Sequence, residues 1–272
     1  MKVRRLLRVL CRVCLLLIFA LGIFAGSVTH YSYAFQFREL PNAPPSALHL
    51  LGTDQLGRDV FTRVLYGTRI SLLLAPAAAL LTTCIAAILG GIAGLRGGWL
   101  EKVILATADL CMSLPLLFVL IALRAILPLD VSPVLSVVAT FVVLGLLGWP
   151  SSLRVIWAAA RNLRRSDQIL LARALGYRNS QLLFRQTIPS LRSVFLAQFW
   201  ISIPLFILTE ATLSMLGLGV MEPLPSWGNL LNGLDDFPAM AANPWKIVPL
   251  LVLVLTVICF QFVFPQSEEL AR

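Results

Sequence analysis

The 272-residue chain is 58% hydrophobic and only 13% charged, with a formal net charge of +9 and a mean hydropathy of +0.87. Soluble domains carry about 25% charged residues, so this composition excludes an ordinary soluble protein and indicates an all-α polytopic membrane protein. The positive balance would suggest nucleic acid or acidic partners in a soluble chain; here the basic residues gather in particular loops, which topology explains.

Lys2, Arg4, Arg5, Arg8 and Arg12 precede an uncharged run from Val13 to Thr29. A basic start and an apolar run also fit a cleaved signal peptide, with Ser32-Tyr33-Ala34 as a weak cleavage site. An uncleaved first span is preferred because the later spans then take consistent orientations. Five further runs follow: Ile70 to Leu95, Val103 to Leu123, Val131 to Leu153, Ser193 to Met221 and Ile247 to Ser267. Each suffices to cross ~30 Å of hydrocarbon as a helix of ~20 residues. Pro76, Pro115, Pro204 and Pro249 are expected to kink spans or lie near their ends. With the N-terminus inside, the inner segments hold the five basic N-terminal residues, Arg96, Lys102, and the arginines from Arg154 to Arg192, accompanied in that last loop by Asp167 alone. The outer segments carry Asp130, Glu222, Asp235 and Asp236. The positive-inside rule therefore predicts six spans with both ends cytoplasmic.

Of the cysteines, Cys84, Cys111 and Cys259 lie in apolar runs, and Cys11-x-x-Cys14 opens the first. Without further ligands nearby they read as small packing residues rather than a metal or redox site.

The first outer segment holds His49-Leu50-Leu51-Gly52-Thr53-Asp54-Gln55-Leu56-Gly57-Arg58-Asp59. Asp54 is placed to cap a helix, and Asp54/Arg58 and Asp59/Arg63 are spaced to pair at i, i+4. Leu56, Val60, Val64, Phe61 and Leu65 share a face, suiting a helix that lies in the interface before the second span. Local ordering of a turn and a gate over a translocation path both fit these residues. Asp109 falls roughly 9 Å into the third span, and Glu210 roughly 25 Å up the fifth. Buried carboxylates are costly and face the bundle or water; packing or gating is favoured over a proton relay, because no titratable residue is obvious between them.

The long basic loop contains Ile169-Leu170-Leu171-Ala172-Arg173-Ala174-Leu175-Gly176 and continues to Ile188-Pro189. Asp167 or Ser166 suits the cap of a short helix running to Leu175, and Gly176 the left-handed residue ending it. Asn179 or Ser180 starts a second helix to Thr187, which Pro189 helps to close. The result is a knob with an apolar ridge of Ile169, Ala172 and Leu175. Topological bias explains its arginines but not its turn, and contact with anionic membrane lipid is compatible with docking. A DNA-binding helix-turn-helix is disfavoured, since both flanks enter the membrane within a few residues.

The chain has no catalytic candidates. No Gly-x-x-x-x-Gly-Lys-Ser/Thr occurs, and none of Lys2, Lys102 and Lys246 follows a glycine, so it lacks a phosphate-cradling loop of its own. His30 and His49 stand alone, with no His-Glu-x-x-His or Gly-x-Ser-x-Gly. Neither a metal nor a bound cofactor is expected.

Ala172-Arg173-Ala174-Leu175-Gly176 followed by Ile188-Pro189 resembles the cytoplasmic "EAA" loop of binding-protein-dependent ABC importer permeases. Three stretches narrow the likeness to the peptide/nickel-type permeases, the dipeptide and oligopeptide "C" subunits. They are Leu51 to Asp59, Glu210-Ala211-Thr212-Leu213-Ser214-Met215-Leu216-Gly217-Leu218-Gly219, and Pro223-Leu224-Pro225-Ser226-Trp227-Gly228. The likeness runs from about His49 to Gln261, so residues 1–48 read as a first helix and outer segment, 49–267 as the permease domain, and 161–190 as its coupling loop.

The resemblance implies a type I importer for di- or oligopeptides, with nickel chelates and antimicrobial peptides as other substrate classes. It implies a second permease subunit forming a heterodimer, two cytoplasmic ATPases that hydrolyse the ATP, and an external binding protein. Leu170, Leu171, Ala172, Arg173, Ala174, Leu175, Gly176 and Pro189 would couple to the ATPase. Gly52, Thr53, Asp54, Gly57, Arg58, Asp59 and Glu210 would form an outer gate or packing element. An ion-coupled secondary transporter using Asp109 or Glu210 is the alternative from the residues. Leu170 and Leu171 replace the usual Glu and first Ala, which removes a charge-assisted contact of ~1–3 kcal/mol if that contact is buried and offers apolar burial in return.

Overall fold

A computed structural model describes residues 2–114, 118–119, 121–122, 132–234 and 243–263, with the backbone alone at 2–4 and 233. Pro115, Asp130, Asp235, Asp236 and the last residues of the sixth expected span lie outside these. The described residues are helical, with one isolated bridge, Thr53 to Asp59, and no strand.

Among the described residues, five helices are long and apolar enough to cross a membrane: Arg5–Ile23, Val60–Arg96, Pro133–Leu163, Arg192–Met215 and Pro244–Val263. Their exposed faces carry large apolar side chains such as Leu16, Leu80, Val134, Leu196 and Leu251, which a bilayer rather than water would cover. The third expected span begins as the helix Gly98–Ser113. Leu114 then turns extended (φ −84°, ψ 125°), as the residue before a proline prefers.

Two expected boundaries are corrected. The helix starting at Val60 is no separate interfacial piece: it runs unbroken for 37 residues to Arg96, carrying Pro76 inside it. The fifth span stops at Met215 instead of Met221. Leu218 N–H bonds the Leu213 carbonyl and Gly217 N–H that of Ser214, with Gly217 at φ +73°. That paired closure satisfies the last carbonyls and ends the helix.

The chain divides into two compact units, Met1–Ala75 with Leu127–Phe141 and Pro204–Arg272, and Pro76–Ile126 with Val142–Ile203. In the first, the Lys2–Ile23 helix packs along Val248–Val263. Cys11 and Cys259 are buried there as small apolar groups. In the second, Ala86, Ala108, Leu153 and Ile156 form one core, flanked by Leu89, Ile104 and Phe195. A second core joins Leu95, Ile169, Ala172, Leu182 and Leu183.

Candidate functional site

In the first unit, residues 37–63 and 210–229 build a polar cluster from the motifs singled out above. Asp54 is not a helix cap. Its Oδ1 accepts the N–H groups of Leu56 and Arg58, both at 2.9 Å, and so organises a tight turn. The helix is capped by Asp59, whose Oδ2 accepts the Thr62 N–H at 2.7 Å. Because the helix starts only at Val60, Leu56 sits in the turn and is exposed. Gly52 and Gly57 take φ of +67° and +73°, and a β-carbon on either would strike the backbone of Ala43 or Phe37. Thr53 Oγ1 donates to the Leu40 carbonyl and accepts the Ala43 N–H at 2.8 Å, tying the turn to the preceding segment.

The pairing of Asp54 with Arg58 holds, at 2.7 Å. Asp59 with Arg63 does not form. Asp59 Oδ1 lies 2.9 Å from His49 Nδ1, both buried, while Arg63 Nη2 donates to Glu222 Oε1 at 2.9 Å and Arg58 Nη1 to Glu222 Oε2 at 2.6 Å. Occupied by the cap and by His49, Asp59 is unavailable to Arg63. A cleft of about 300 Å³ opens here, with Asp54 and Glu222 facing Arg58, Arg63 and Lys246. Lys246 Nζ donates to Asn42 Oδ1 at 2.7 Å.

Glu210 is fully buried, and its Oε1 accepts both Ser214 Oγ and Ser226 Oγ at 2.7 Å. Its Oε2 makes no hydrogen bond of ordinary geometry, although the Gly228 N–H approaches the carboxyl. Ser214 Oγ in turn accepts the Val220 N–H, and Ser226 Oγ that of Asn229. Glu210 thus staples the turn after its own helix to the start of the helix Trp227–Leu231. A β-carbon at Gly228 would come within 2.6 Å of Ala211 Cα, so the glycine is what lets the two backbones meet. Trp227, wholly buried, seals the arrangement by donating from Nε1 to Thr68 Oγ1 at 3.0 Å.

In the second unit, Asp109 is exposed and ion-paired with Arg154. The knob folds as a helix Asp167–Ala174, capped at Ser166 without a side-chain bond, and then a helical stretch over 179–190. Gly176, at φ +80°, closes the first helix: Tyr177 N–H bonds the Ala172 carbonyl at 3.1 Å and Gly176 N–H that of Arg173 at 3.0 Å. The second stretch does not stop at Thr187. It widens into a π-turn over Leu182–Thr187 and continues through Ile188–Ser190, with Pro189 near the start of that last turn. The wider turn accommodates a residue that lacks an N–H.

The expected ridge divides. Ile169 and Ala172 are buried against Leu95, Leu182 and Leu183, whereas Leu175 is 69% and Leu171 63% exposed. Leu170, Arg173 and Ala174 are also exposed. Arg173 Nη2 donates to the Leu95 carbonyl at 3.0 Å, fixing the knob to the end of the long helix. Helical spacing identified the apolar positions but could not say which face the remainder of the unit would cover.

Residues 86–267 match the family described as binding-protein-dependent transport system inner membrane component. The chain belongs to that family. The permease is 34% identical over 235 residues to the oligopeptide transport system permease protein OppC of Bacillus subtilis, covering 86% of this chain and 74% of that protein. It is 31% identical over 248 residues to the dipeptide permease protein DppC of the same organism, covering 90% and 75%. To the glutathione transport system permease protein GsiD of Pectobacterium atrosepticum it is 34% identical over 247 residues, covering 90% and 79%. The permease is accordingly a multi-pass membrane protein and a subunit of a binding-protein-dependent transporter.

The permease also uses residues that its sequence did not single out. His49, isolated in the sequence, partners Asp59 and sits against Tyr31 and Phe37. Glu222 counted only as an outer acid, yet it gathers Arg58 and Arg63 from about 160 residues away. No local spacing signals a bond across that distance.

Proposed function

We propose that this chain is one permease subunit of an ATP-driven peptide importer, forming half of the translocation pathway and taking force through its 167–190 knob from a separate cytoplasmic ATPase. The observation that carries this reading is the division of the knob into a buried and an exposed face. Ile169, Ala172 and the Arg173–Leu95 bond anchor it, while Leu171, Ala174 and Leu175 remain uncovered on a rigidly closed turn. A helix so fixed transmits displacement to the span it grips rather than absorbing it.

In this reading the arginine-rich loop and both chain ends face the cytoplasm, and six spans cross the membrane. Two ATPases hydrolyse the ATP, and the permease itself binds no cofactor. A second, non-identical permease completes the pathway, and an extracytoplasmic binding protein delivers the ligand. Peptides are the proposed substrates because the relatives are named for oligopeptide, dipeptide and glutathione transport. The polar cluster around Asp54, Arg58, Arg63 and Glu222 is assigned to the outer rim, where it stiffens the entrance.

The test is reconstitution of the four-subunit complex in vesicles with cysteines placed at Leu171 and Leu175. Cross-linking to the ATPase, together with peptide uptake that requires ATP and the binding protein, is expected. Uptake that follows a proton gradient without ATP would overturn the reading.

A further inference from the structure

Beside the knob, within the second unit, a cleft of about 360 Å³ is lined by Glu101, Arg161, Arg164, Arg165, Leu170 and Arg173. Four guanidinium groups face one carboxylate there, and that carboxylate is already engaged. Glu101 Oε1 accepts Trp157 Nε1–H at 2.8 Å and lies 3.9 Å from Arg161 Nη1. Among the described residues Arg164 and Arg165 have no carboxylate partner. Leu170 supplies an apolar edge to the cleft. So much concentrated positive charge, unmatched by carboxylates among the described residues, suits an anion, and planar guanidinium forks suit phosphate oxygens.

The surroundings indicate which phosphate. Arg161 lies over the Trp157 ring, 5.4 Å from its centroid. Trp99, two residues from Glu101, projects 77% exposed from the start of its helix. Indoles interleaved with arginines mark the headgroup layer of a bilayer, and basic pockets between helices on the cytoplasmic side take acidic headgroups.

We propose that this cleft binds the phosphate of an anionic phospholipid, holding the coupling knob at the headgroup layer. The assignment to the inner leaflet rests on the orientation proposed above; the binding itself does not.

The test uses the assembled transporter in nanodiscs of phosphatidylcholine doped with phosphatidylglycerol, with native mass spectrometry reading the lipid retained after delipidation. Retention by the wild type, reduced about tenfold or more in Arg161→Gln/Arg165→Gln, is expected from the loss of two charge-assisted contacts. The double Arg→Lys variant, which keeps the charge but loses the forks, is expected to fall between. Leu170→Glu, which places a carboxylate in the cleft, is also expected to release lipid. Equal retention by the wild type and the double Gln variant would overturn the proposal. So would displacement of the lipid by glycerol phosphate at equal concentration, which would assign the cleft to free phosphate. Protection of the arginines by the ATPase alone, regardless of lipid charge, would overturn it too and assign the cleft to an acidic group on the motor. ATP-driven uptake measured in parallel separates the two readings, because lipid retention without uptake leaves this proposal intact while refuting the importer.

Discussion

Arg63 and Glu222, 159 residues apart, meet with Nη2 and Oε1 at 2.9 Å, and Arg63 is only 1% exposed. Glu222 is about half exposed and also binds Arg58, so it acts as a bracket closing over two arginines that one helix start brings together. Glu222→Gln leaves Arg63 buried with Asp54 as the remaining paired carboxylate, at 3.8 Å. A loss of about 1–3 kcal/mol follows from removing hydrogen bonds to a charged group. Thermal unfolding in detergent checks it, and Arg63→Lys, without the fork, is expected to lose about as much.

Glu210 is predicted to be structural. Glu210→Ala strands two buried hydroxyls, Ser214 and Ser226, at about 1–3 kcal/mol each if nothing else accepts them. Glu210→Gln keeps an oxygen where both hydroxyls donate. It should retain most stability and most ATP-driven uptake. Proton-dependent uptake abolished by Gln while the protein stays folded would instead restore the ion-coupled reading.

Gly228→Ala presses a methyl group onto Ala211 Cα and the Ser214 side chain. Backbone cannot yield as a flexible side-chain end does, so a cost of about 1–3 kcal/mol is expected. Digestion within 216–226 should speed up in this variant, because the staple at Glu210 loosens first.

The knob gives the sharpest contrast. Leu171→Glu and Leu175→Glu alter exposed positions and should leave thermal stability within about 0.5 kcal/mol, while ATP hydrolysis becomes uncoupled from uptake. Ala172→Glu buries a charge in the Leu95–Ile169–Leu183 core and should reduce folded protein in the membrane, so it is no test of docking. Gly176→Pro cannot adopt φ +80° and loses the N–H that bonds the Arg173 carbonyl, so the knob opens while the spans insert. Comparing ATPase rate with uptake in each variant separates these outcomes; wild-type coupling in Leu171→Glu and Leu175→Glu would count against the docking face.

Much of this was legible in the residues themselves. Long apolar runs dictate helices because unpaired backbone is prohibitively costly in hydrocarbon. Gly176 ends its helix by a rule that depends only on backbone conformation. Other features depended on partners distant in the sequence. Spacing pairs Asp59 with Arg63, but the helix begins after Asp59, whose side chain caps it while bonding His49. Asp54, read as the cap, folds a turn instead.

Hydrophobicity and local stereochemistry, properties of neighbouring residues, determined that this chain inserts, which stretches form its long helices, and that a knob interrupts them. Tertiary packing alone decided that Ala172 faces inward while Leu175 faces out, that Glu222 reaches Arg63, and that four arginines line one cleft. Those outcomes turn on which surfaces of separate helices bury one another, and a one-dimensional pattern carries the amphipathic period without the identity of the surface that covers it.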